Sequence, residues 1–104
     1  MPIAVHLDDE RIADFCRRWK VVELSLFGSV LREDFSPDSD IDALVRFAPE
    51  ADVSLLDHLA MEEDLSGILG RPVDLVSRRA VESSRNAIRR EAILLTAEPI
   101  YVSG

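Results

Sequence analysis

Apolar positions recur along this chain with two different periods, and the changes of period mark its elements. Ile12, Phe15, Cys16 and Trp19 fall at i, i+3, i+4 and i+7, one side of a helix over residues 8–19. Asp8 or Asp9 caps it, and acids fill its first turn. Val22, Leu24 and Leu26 then alternate with Glu23 and Ser25, the period of a strand that ends at Gly28. Residues 29–32 suit a short helix, and Ser36-Pro37-Asp38 carries turn chemistry. A second strand is expected over 41–47.

Ser54 and Asp57 are spaced as a capping box for a helix carrying Leu55, Leu59, Leu65, Ile68 and Leu69. Gly70 stands where a left-handed helix end would fall. Residues 72–76 read as a third strand, and 79–95 as one helix with Ile88, Ala92 and Leu95 on one side. A last short strand is expected over 99–102. The order predicts an α/β (α+β) fold, a small mixed sheet with helices packed on it.

At 104 residues the chain is expected to be a single domain over 1–104, and its 47% hydrophobic content supplies a core. The net charge of −8 argues against a nucleic-acid backbone as the main partner. Residues 1–77 hold 17 acids against 7 bases, whereas 78–104 hold 3 acids against 5 arginines. Those arginines (78, 79, 85, 89 and 90) read first as a solvated helix face. A surface for an acidic partner, or cations at a phosphate site, is the sharper alternative. The lone Cys16 makes no internal disulfide and sits on the apolar stripe, so a core role and a reduced, cytoplasmic setting are expected. No signal peptide or membrane-spanning run is read. His58 and Tyr101 read as surface or packing residues.

The candidate chemistry lies in Leu26-Phe27-Gly28-Ser29 and, ten residues on, Asp40-Ile41-Asp42. Gly28 permits close backbone approach, and a helix starting after it would turn N–H groups toward an anion. The Ser29 hydroxyl adds a donor, and Arg32 stands one turn on to meet phosphate oxygens. Asp40 and Asp42, two apart on a strand, point the same way. Two carboxylates about 4 Å apart at an effective dielectric near 20 repel by about 4 kcal/mol. A divalent cation removes that penalty, and all-oxygen donors favour Mg²⁺ or Mn²⁺. Asp74, within the apolar run Val73-Asp74-Leu75-Val76, reads as a third, buried-type carboxylate that joins them if its strand neighbours the second. Three carboxylates would hold two ions.

Rival motifs fail. A calcium loop starting at Asp38 would need Gly at Ala43 and Glu at Pro49. A Walker loop needs a lysine after its second Gly, and the one lysine, Lys20, is elsewhere.

Gly28-Ser29, then Asp40-x-Asp42, with Arg32 and Ser39 between, resembles the minimal nucleotidyltransferase (MNT) domain of the polymerase-beta-like superfamily. The likeness extends through Gly70-Arg71-Pro72-Val73-Asp74-Leu75-Val76 and Glu98-Pro99-Ile100-Tyr101-Val102. It implies that Gly28, Ser29, Arg32 and Ser39 bind nucleotide, that Asp40, Asp42 and Asp74 are catalytic metal ligands, and that Asp74 helps activate the attacking hydroxyl. Domains of this size are similar to MntA-type antitoxins. The resemblance implies transfer of AMP from ATP to a tyrosine of a HEPN-type toxin, within a hetero-oligomer. A non-catalytic antitoxin that neutralises such a ribonuclease by complex formation is the alternative. Neither nucleic acid nor a membrane is expected as a direct partner.

Overall fold

The computed structural model describes residues 7–28 and 40–103. The elements run α1 (Asp9–Trp19), β1 (Val21–Phe27), β2 (Ile41–Phe47), α2 (Leu55–Leu69), β3 (Val73–Ser77), α3 (Arg78–Glu82), α4 (Ala87–Thr96) and β4 (Glu98–Val102). Four strands form one sheet in the order β3-β2-β1-β4. β1 pairs antiparallel with β2 and with β4, whereas β2 and β3 are parallel. Antiparallel neighbours accept a short return, but the parallel pair needs a crossover, and α2 provides it. Segments 29–32 and 36–38, expected as a short helix and a turn, lie outside the described residues.

Strand alternation gives the sheet two different faces. One carries Leu24, Leu26, Ile41, Ala43, Val45, Val73 and Leu75, packed against Ile12, Phe15 and Cys16 of α1 and Met61, Leu65 and Leu69 of α2. Every one of these side chains is buried, and their removal from water is the main stabilising term. The opposite face is covered by a smaller cluster of Phe27, Leu44, Val81 and Ile93, from β1, β2, α3 and α4.

Local chemistry fixes the helix ends. Asp8 accepts from the Arg11 amide at 3.2 Å and caps α1. The capping box of α2 is complete: Ser54 Oγ accepts from the Asp57 amide, and Asp57 Oδ2 accepts from the Ser54 amide, both at 3.1 Å. Gly70 closes α2 with φ +72, the left-handed conformation expected there.

β3 is an edge strand, and α2 covers its outer backbone. His58 Nε2 lies 2.8 Å from the Leu75 carbonyl oxygen, the Leu75 amide donates to Glu62 Oε2 at 2.7 Å, and the Val73 amide donates to Ser66 Oγ at 3.0 Å. Satisfied edge groups cannot recruit another strand. His58 is therefore a structural residue. Tyr101 packs half-buried against the main core, as expected of it.

The apolar residues of α2 are scattered around the helix. The sheet selects Met61, Leu65 and Leu69, and leaves Leu55 and Leu59 exposed. One expectation is corrected: the single helix over 79–95 is two. Ser84 Oγ accepts from the Asn86 amide at 3.2 Å, and Asn86 Oδ1 accepts from the Arg89 amide at 3.1 Å. These side-chain bonds compete with a continuous helical ladder and restart the helix at Ala87. The restart turns Ile93 inward and leaves Ile88 and Leu95 at the surface.

Candidate active site

The site lies at one end of the second sheet face. β1 ends at Phe27, which is the cross-strand partner of Asp42. Asp42 is in turn the partner of Asp74 on the other side. Cross-strand partners share a face, so the two carboxylates stand side by side on adjacent strands. Asp40 immediately precedes β2, and alternation carries it to the same side as Asp42. The Ile41 amide donates to the Pro72 carbonyl at 2.9 Å, which ties the starts of β2 and β3 together.

Gly28 follows Phe27 with φ +76, a conformation that costs a residue with a side chain about 1–2 kcal/mol. A Cβ there would overlap Asp42 Oδ2 and lie 3.4 Å from its Cγ. Glycine is thus required twice, for the backbone and for the room it leaves the carboxylate. The bend and the carboxylate are in direct register.

The electrostatics follow from this crowding. Asp42 is half-buried, and burial raises its carboxyl above the ordinary 3.8. The Asp74 carboxylate raises it further and Asp40 adds to that, while the Arg89 guanidinium of α4 pulls it back down. Asp74 is exposed, not buried as the sequence suggested, because the edge strand β3 turns this side chain to solvent. Asp40 is exposed as well.

The fold thus brings Gly28, Asp40, Asp42 and Asp74 to the same end of this sheet face. Ser29, Arg32 and Ser39 lie outside the described residues. Arg89 was read only as one of five late arginines, since no periodicity tells which of them faces the sheet. The register of α4, set by Asn86, decides it.

The donor set suits a hard divalent cation. It consists of carboxylates without nitrogen or sulfur, and their mutual repulsion is what a cation relieves. Among the described residues, no three Asp, Glu, His or Cys side chains are gathered closely enough to hold a metal ion as they stand. A groove of about 670 Å³ lies at the other end of β2, walled by Val45, Phe47, Leu55, His58 and Arg78, and it contains none of the site residues. Among the described residues, no helix is long and apolar enough to cross a membrane.

A family model, the nucleotidyltransferase domain, matches residues 9–95. The chain is 35% identical over 66 residues to a candidate protein adenylyltransferase of Methanocaldococcus jannaschii; the match covers 64% of this chain and 66% of that protein, just under two thirds of its length. A solved candidate minimal nucleotidyltransferase is 37% identical, with 88% of each chain covered and a TM-score of 0.67. Two solved toxin–antitoxin complexes share the fold. One, with AMP-PNP, is 22% identical at a TM-score of 0.70, over 93% of this chain and 75% of that one. The other, a tri-AMPylated Shewanella oneidensis HEPN toxin with its MNT antitoxin, is 21% identical at 0.60, over 91% and 70%. With the bend at Gly28 in register with paired strand carboxylates, and a family match across nearly all described elements, this chain belongs to the nucleotidyltransferase domain family.

Proposed function

We propose that this chain is a protein adenylyltransferase that transfers AMP from ATP to a tyrosine hydroxyl of a HEPN-type toxin, and so acts as the antitoxin of that pair. The observation that carries the reading is the register of Asp42 opposite Asp74, with Gly28 packed against Asp42. The AMP-PNP and the AMPylated toxin in the similar complexes support the choice of donor and acceptor class.

The chemistry is an in-line substitution. The tyrosine oxygen forms a bond to the α-phosphorus, the bond from that phosphorus to the bridging oxygen breaks, and pyrophosphate leaves. Mg²⁺ or Mn²⁺, held by Asp40, Asp42 and Asp74, would neutralise phosphate charge and make the attacking hydroxyl more acidic. Gly28 brings backbone against the phosphates, with Ser29, Arg32 and Ser39 as further nucleotide contacts. Asp74, exposed at the sheet edge, meets the incoming hydroxyl and takes its proton. The protein contributes mainly positioning and charge.

A second reading, neutralisation by binding alone, draws on α4. Ile88 and Leu95, seven residues apart on one side of that helix, are 84% and 82% exposed and offer an apolar contact surface. The two readings separate in one experiment. The chain is incubated with labelled ATP, Mg²⁺ and a HEPN-type toxin. Label on a toxin tyrosine that disappears with Asp42→Asn supports transfer. No label, with neutralisation retained by Asp42→Asn, supports binding alone.

A further inference from the structure

Five arginines follow β3, and one of them is placed differently from the rest. Arg78 is engaged by Glu23 at 3.0 Å and Glu82 at 3.4 Å, and Arg90 donates to the Ser84 carbonyl at 2.7 Å. Arg89 lies one helical turn before Ile93, so the two share a side of α4. Ile93 is buried with Phe27 and Leu44 on the second sheet face. Those two residues flank Asp42, one across the strand pair and one two positions along β2. The packing of Ile93 therefore holds the Arg89 turn of α4 over the sheet face that carries Asp42, and the Asn86 cap at 3.1 Å from the Arg89 amide fixes that turn.

The Arg89 charge is felt at Asp42, yet among the described residues its guanidinium closes no ion pair with any carboxylate. It is exposed, and the carboxylate its charge reaches, Asp42, is the one in contact with the Gly28 bend. A guanidinium held near a carboxylate without closing an ion pair to it keeps N–H donors for a further anion. We infer that Arg89 grips the phosphate chain of the nucleotide bound at Gly28, a role that rests on the nucleotidyltransferase reading above. The planar guanidinium suits two phosphate oxygens at once, which a lysine ammonium meets only as a point charge.

The test is equilibrium binding of ATP and of AMP, each with Mg²⁺, to the intact chain and to Arg89→Gln and Arg89→Lys, with thermal unfolding followed in parallel. A charge-assisted hydrogen bond lost from the polyphosphate weakens ATP by about ten- to a hundredfold. AMP, which lacks the β- and γ-phosphates, changes by less than about threefold, and Arg89→Lys recovers part of the loss. Unchanged ATP affinity in Arg89→Gln overturns the inference and leaves the nucleotidyltransferase reading standing. Equal weakening of ATP and AMP with a lowered melting temperature also overturns it, and makes Arg89 a structural counter-charge for Asp42. Failure of the unaltered chain to bind ATP removes the reading of the whole site, and the role of Arg89 with it.

Discussion

Gly28 and Gly70 form a matched pair that separates backbone strain from damage to the site. Both hold a left-handed φ, +76 and +72. A Cβ on Gly70 meets nothing within 4 Å, whereas one on Gly28 overlaps Asp42 Oδ2. Gly70→Ala therefore carries only the conformational cost, about 1 kcal/mol. In a domain of this size that lowers the melting temperature by about 4–8 °C. Gly28→Ala carries the same cost and in addition forces the Asp42 carboxylate aside. Relief needs a new Asp42 rotamer or a shift of the β1–β2 register at its end, and either moves the carboxylate by about 1 Å. Misplacement on that scale costs about a hundredfold in rate. The assay is initial-rate AMP transfer to a HEPN-type toxin beside thermal unfolding of both variants. Gly28→Ala should lose transfer about a hundredfold while Gly70→Ala keeps it, at comparable losses in melting temperature. Equal activity of the two variants would refute the contact between bend and carboxylate.

Further outcomes follow from the same structure. Because burial and neighbouring acids raise the Asp42 carboxyl above 3.8, the folded state binds its proton more tightly than the unfolded chain does. Ionised Asp42 thus weakens the fold at neutral pH, and that penalty fades as pH falls through the raised value. Asp42→Asn should lose transfer yet melt at or above the parent at pH 7, the gap narrowing in acid; a large drop in melting temperature at pH 7 would contradict this. Cys16 is fully buried and its thiol is pushed up to about 12, so native protein should resist alkylation at pH 8 while unfolded protein reacts freely. Equal rates in both states would place Cys16 elsewhere. Ser54→Ala removes the acceptor of the Asp57 amide and should cost about 1 kcal/mol in unfolding experiments with transfer intact.

The sheet and its carboxylates were legible because their signals are local. Alternation at Val22, Leu24 and Leu26 marks β1, and the run Ile41 to Phe47 is β2 without a residue's difference. The Ser54–Asp57 box and Gly70 mark both ends of α2. What escaped depends on tertiary choice. α2 is apolar on several sides, so only the sheet decides that Leu65 enters the core and Leu59 does not. The break between α3 and α4 rests on two side-chain bonds at Ser84 and Asn86, which periodicity does not register. Asp74 looked buried because its neighbours in sequence are apolar, but an edge strand has a solvated end, and strand order is a long-range property. For the same reason Arg89 could not be told apart from Arg85 before the register of α4 was known. Spacing alone marks Asp40, Asp42 and Gly28 as a candidate site, and the structure sets Gly28 against Asp42. The pairing of Asp42 with Asp74 needed the parallel β2–β3 register.

That pairing is most directly tested by Mn²⁺ binding, followed by paramagnetic resonance, to the intact chain with AMP-PNP and to Asp74→Asn. If Asp74 shares cations with Asp40 and Asp42, this one substitution at the sheet edge weakens Mn²⁺ by at least about tenfold without lowering the melting temperature. Mn²⁺ affinity and stoichiometry unchanged in Asp74→Asn would contradict a shared site.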